Sequence, residues 1–113
     1  MDRAPSSPSS ASPRKAVKAS ASVLPSQLSQ AQADFERLTA EYEGLLADPG
    51  VNQEDRDATR TLVETARGHV QDIEEAMSRV ESGTYGHCAT CGIEIPAERL
   101  EALPDAVTCV TCG

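Results

Sequence analysis

The sequence predicts a mainly α-helical protein: an antiparallel coiled-coil helical hairpin followed by a small four-cysteine module with a short C-terminal helix. Three observations carry that expectation. Apolar residues alternate at spacings of three and four along two stretches, a Pro-Gly breaker separates those stretches, and the only cysteines form two C-x-x-C pairs near the end. With one Phe, two Tyr and no Trp in 113 residues, the chain cannot bury a large globular core. No apolar run approaches the roughly 20 residues that a membrane span needs.

Residues 1–25 are rich in Ser, Ala and Pro and carry Arg3, Arg14, Lys15 and Lys18 against Asp2 alone. Val17, Val23 and Leu24 are their only sizeable hydrophobes, too few to offset the entropy of ordering a chain, so this stretch reads as a disordered basic tail. Its composition is close to that of an organellar transit peptide, but the amphipathic pattern is missing.

Residues 26–82 read as the hairpin. Leu28, Ala31, Phe35, Leu38, Tyr42 and Leu45 form a heptad seam on the first helix. Asp48-Pro49-Gly50 stops it, because proline disfavours helical geometry before it and glycine supplies a turn. Asn52 can cap a second helix whose first turn is crowded with Glu54, Asp55 and Asp57, where the helix dipole favours anions. The second seam is expected along Leu62, Ala66, His69, Ile73, Ala76 and Val80, widened by Val63, Val70 and Met77, with His69 packed and Gly83 ending the helix. A link this short makes the helices antiparallel and puts a tip at residues 48–57. The finger should be about 35–45 Å long.

Residues 83–113 hold Cys88, Cys91, Cys109 and Cys112, spaced C-x2-C-x17-C-x2-C. Each C-x-x-C turn offers two adjacent corners of a tetrahedron, and two such turns close a zinc shell with no open position for a substrate water. The expected cofactor is one structural Zn2+, and the module is a four-cysteine zinc finger. Two disulfides would need an oxidising compartment, and no secretory signal precedes the chain; a thioredoxin-like motif would need a βαβ context. Gly92 and Gly113 suit the knuckle turns, and His87 is expected to be a bystander to a shell filled by sulfur. Pro96 suits the first turn of a short helix through Leu103, and Tyr85, Ile93, Ile95, Leu100 and Leu103 are the expected miniature core.

Charge is uneven along the chain. The tail is net +3, whereas residues 26–113 carry 17 acidic and 6 basic side chains, so the folded part would be steered to a basic surface. Asp48, Glu54, Asp55 and Asp57 cluster at the hairpin tip, a tentative partner-binding site. Turn forming, capping and dipole compensation together could also account for all four.

The string Gly83-Thr84-Tyr85-Gly86-His87-Cys88-Ala89-Thr90-Cys91-Gly92, with Ile95-Pro96-Ala97-Glu98-Arg99-Leu100 and the closing Cys109-Val110-Thr111-Cys112, resembles the DksA/TraR zinc-finger family. The resemblance is close over residues 73–112 and touches nothing in residues 1–25. It implies a cytoplasmic bacterial transcription regulator, a monomer, that binds RNA polymerase directly rather than reading promoter sequence. Such regulators insert the coiled-coil tip into the secondary channel of the enzyme, in some members together with the alarmone ppGpp at the polymerase interface. Many members carry Asp-x-x-Asp-x-Ala at the tip. The nearest match here is Glu54-x-x-Asp57-x-Thr59, with Asp55-Arg56-Asp57-Ala58 holding similar residues at another spacing.

Two other classes compete. A zinc-dependent nucleic-acid binder is disfavoured because residues 83–113 carry Arg99 alone against Glu94, Glu98, Glu101 and Asp105, the wrong sign for phosphate. A thiol redox sensor would use the same four cysteines. No nucleophile–base pair and no open metal position suggests an enzyme.

Overall fold

The computed structural model describes residues 13–112, which form four helices: α1 (Pro13–Ser22), α2 (Leu24–Ala47), α3 (Gln53–Ser82) and α4 (Ala97–Ala102). The chain divides into two compact units, Ser26–Glu74 and the segments flanking it on either side.

The Ser26–Glu74 unit is the helical hairpin. Asp48 folds the link into an Asx turn, its Oδ1 accepting from Gly50 N at 2.9 Å while its carbonyl accepts from Val51 N at 3.2 Å. Asn52 Oδ1 then accepts from Asp55 N at 2.8 Å, capping α3 as expected of that residue. Antiparallel running follows from two contacts. Arg56 Nε donates to Leu45 O near the turn, and ten residues back along α2 the Phe35 ring lies under Arg67, eleven residues further along α3, at 5.6 Å.

Burial confirms the α2 seam. Ala31 is buried, and Leu28, Phe35, Leu38, Tyr42 and Leu45 are half-buried. On α3 the expected seam residues Ala66, Ile73 and Ala76 and the expected flanking residues Val63 and Val70 face inward, but Leu62, His69 and Val80 do not. Arg56, Thr59, Val63, Ala66, Val70 and Ile73 turn inward, whereas Leu62 is 53% exposed and His69 is exposed. Stepping back along α2 from Leu45 through Tyr42, Leu38, Phe35, Ala31 and Leu28 matches stepping forward along α3 from Arg56 through Thr59, Val63, Ala66, Val70 and Ile73. The spacings agree at every step, as a heptad seam requires. Arg56 and Thr59 carry the seam through polar positions, which an apolar count passes over.

In the other unit, α1 packs against α4. This corrects the expectation of a disordered tail for residues 13–22; residues 1–12 lie outside the described residues. Val17 is half-buried, Ser20 is 5% exposed and Leu24 is fully buried, so three widely spaced residues suffice once a surface is available to receive them. The helix breaks at Val23 because Pro25 has no N–H to continue it. The last turns of α3, from Glu75, group with the zinc-finger segment rather than with the hairpin. Arg79 explains the grouping: its carbonyl accepts from Thr84 N and Tyr85 N, and its Nη2 donates to His87 O at 2.7 Å.

Candidate metal centre

Gly83 ends α3 with φ +80°, and the chain enters a short loop hairpin in which one antiparallel bridge pairs His87 with Glu94. Ile95 N donates to Gly86 O at 2.7 Å and Cys88 N to Ile93 O at 2.7 Å. At the hairpin end Gly92 N donates to Cys88 O at 2.9 Å, and Gly92 adopts φ +81°, a left-handed conformation that glycine reaches without a Cβ clash. That turn swings Cys91 back toward Cys88. The second cysteine pair is tied to the first by Ala89 N donating to Val107 O at 2.7 Å.

The core beneath is smaller than expected. Tyr85, Ile95 and Leu100 are buried, but Ile93 is 56% and Leu103 48% exposed. Leu103 lies past the end of α4 as its C-cap. Tyr85 compensates by reaching across the module, its hydroxyl donating to Pro104 O at 2.7 Å. Burial, then the nearby Asp105 carboxylate, pushes its phenol up to about 12. Arg99 of α4 donates through Nε to Thr108 O at 3.0 Å, linking that helix to the segment that carries Cys109. Pro96 precedes α4 and Glu98 lies in its first turn.

The four Sγ atoms of Cys88, Cys91, Cys109 and Cys112 lie within 4.8 Å of one another, Cys88 and Cys109 buried and Cys91 and Cys112 exposed. Zinc–thiolate bonds of about 2.3 Å put tetrahedral sulfurs about 3.8 Å apart. Cys91 Sγ and Cys109 Sγ are 3.8 Å apart. Backbone amides, those of Cys109 and Cys91 foremost, draw the Cys88 thiol down to about 5. Hydrogen bonding with the sulfurs of Cys109, Cys91 and Cys88 pushes Cys112 up to about 12. Four sulfurs this close can all be thiolates only around a cation. The residues therefore fit one structural zinc ion. His87, its side chain exposed, is not part of the cluster.

The tip carboxylates are all exposed but differ in employment. Asp48 holds the turn. Asp57 accepts from Gln53 Nε2 at 2.8 Å and lies 3.7 Å from Arg60. Glu54 and Asp55, in the first turn of α3, have no side-chain partner among the described residues. Arg56 is the tip residue that sequence reasoning missed: it donates to Leu45 O at 3.2 Å and to Asp48 O at 2.8 Å, closing the C-terminal end of α2. A lone basic residue among acids was the available signal.

Hairpin and tetrathiolate site together define a class: a helical-hairpin protein with a closed, structural four-cysteine zinc finger. Residues 83–113 match the prokaryotic dksA/traR C4-type zinc finger. The chain is 42% identical over 43 residues to the RNA polymerase-binding transcription factor DksA of Escherichia coli K12, covering 38% of this chain and 28% of that protein. It is 57% identical over 42 residues to YteA of Bacillus subtilis, covering 37% and 18%. General stress protein 16O of the same species is 41% identical over 61 residues, covering 54% and 37%. The chain thus spans well under half the length of these curated relatives. In three dimensions it is similar to transcription factor DksA2 of Pseudomonas aeruginosa, with a TM-score of 0.72 and 26% identity over 87% of this chain and 80% of that one. Among the described residues no helix is long and apolar enough to cross a membrane.

Proposed function

We propose that this protein is a bacterial transcription regulator that binds RNA polymerase directly in the cytoplasm, as a monomer, and inserts its acidic hairpin tip into the secondary channel to modulate initiation. The observation that carries this reading is the division of labour at the tip. Asp48, Asn52, Arg56 and Asp57 build and brace the turn, which leaves the Glu54 and Asp55 carboxylates exposed and unengaged at the end of a slender hairpin. A pair of free carboxylates suits a narrow basic passage. The likeness to DksA, which is named for polymerase binding, supports the same partner.

Within this reading Glu54 and Asp55 carry the effect on initiation. The test is binding to polymerase core enzyme at low salt, with a secondary-channel ligand as competitor and with and without ppGpp. Binding that the competitor displaces, together with loss of regulation in the Glu54→Gln, Asp55→Asn double variant, supports the proposal. A zinc-loaded protein that does not bind at low salt refutes it.

A further inference from the structure

α1 has little reason to be helical by itself. It is 10 residues long, below the roughly 12–15 at which isolated helices become even marginal. Its first turn holds no acidic residue to complement the helix dipole. What holds it is the surface it lies on. Val17 Cγ1 comes within 3.6 Å of the point a Cβ on Gly86 would occupy, and Leu100 Cδ1 lies 3.7 Å from the same point. Gly86, at φ +91°, is the spacer that lets α1 and α4 approach one another. Ser20, small and buried, continues the contact toward the buried Leu24.

That surface has little independent stability. α4 has six residues, and the loop hairpin carrying Gly86 and Ile95 is held by a single bridge and a few backbone bonds. Neither would persist in water without a further constraint. The constraint is the tetrathiolate site: Cys88 lies two residues beyond Gly86, and Cys109 closes the segment that Arg99 of α4 grips. Burying Val17 and Ser20 therefore depends on an ion more than one layer away. A cleft of about 420 Å³ opens beside this contact, walled by Val17 and Lys18 on α1 and by Tyr85, His87, Glu94 and Ile95 on the module. It exists only while α1 is seated.

We infer that α1 is a zinc-dependent strap: metal at Cys88, Cys91, Cys109 and Cys112 builds the Gly86–Ile95–Leu100 seat, α1 docks on it, and metal loss releases α1 from the module. The inference stands independently of polymerase binding. Release would free Lys18 from the acidic module and abolish the cleft.

Limited trypsin digestion of the full chain tests this, because trypsin cuts after Lys18 only when α1 opens, and the rate follows the open population. Adding a zinc chelator should accelerate cleavage after Lys18 by roughly tenfold or more, while cleavage after Arg37 in α2 changes far less. Val17→Asp should give the fast Lys18 cleavage with zinc present and still one zinc per chain. Hydrogen exchange over residues 16–22 should report the same release without protease. Equal Lys18 cleavage with and without metal would overturn the inference. So would equal acceleration at Arg37, which would mean the whole chain opens, or an unchanged rate in Val17→Asp.

Discussion

Arg56 reaches back over the turn to the carbonyl of Asp48, its Nη2 donating at 2.8 Å while its Nε serves Leu45 O. A residue in the first turn of α3 thus satisfies carbonyls that the end of α2 would otherwise leave to water.

Replacing Arg56 with Gln should therefore lower stability by about 1–2 kcal/mol, the worth of a partly exposed charge-assisted bond pair. Lys should rescue only part of this, since one ammonium cannot reproduce the two-nitrogen geometry. Thermal denaturation followed by circular dichroism at 222 nm measures both. Equal melting of wild type and Gln variant would show that water caps α2 as well as Arg56 does.

The tip carboxylates should separate by role. Glu54→Gln with Asp55→Asn should cost no more than about 1 kcal/mol of stability, through the lost dipole interaction, yet remove the effect on transcription initiation. Asp48→Ala should instead loosen the turn, because it removes the acceptor for Gly50 N. In vitro transcription beside a denaturation curve distinguishes them. If Asp48→Ala abolishes regulation while retaining full stability, the assignment of Asp48 to architecture is wrong.

Tyr85 gives a pH signature. Its folded pKa, pushed up to about 12, lies above the ordinary value of 10, so the fold favours the neutral phenol. Its contribution is complete below pH 10 and is lost as pH rises from 10 toward 12. Tyr85→Phe should cost about 1 kcal/mol at neutral pH by deleting the bond to Pro104 O, and should flatten that alkaline loss. Stability titrations of the two proteins between pH 8 and pH 11 provide the comparison.

Metal and module should be one cooperative system. Cys88→Ser or Cys109→Ser, each removing a buried sulfur, should eliminate stoichiometric zinc and the protection of α4 amides from exchange. Elemental analysis and hydrogen exchange give independent readings. A serine variant that keeps one zinc per chain and a protected α4 would contradict structural coordination.

Much of the architecture is legible in the chain itself because it depends on local chemistry. The C-x-x-C pairs announce a tetrathiolate whatever surrounds them, Asp48-Pro49-Gly50 must turn, Asn52 caps, and the α2 seam from Leu28 to Leu45 is apolar at every step. Tertiary structure decided what local chemistry leaves degenerate. On α3, Leu62 and Val63 are equally apolar, and the phase is chosen by pairing with α2, which turns Val63 inward at 6% exposure and leaves Leu62 outside at 53%. Arg56 and Thr59 join that seam for the same reason, invisible to any count of hydrophobes. Val17 of α1 and Leu24 just beyond it, in a Ser- and Ala-rich segment, are too few apolar residues to order a chain alone. They become sufficient only where Gly86, Leu100 and α4 provide a surface, because the burial that offsets a helix's entropy belongs to the contact and not to the segment.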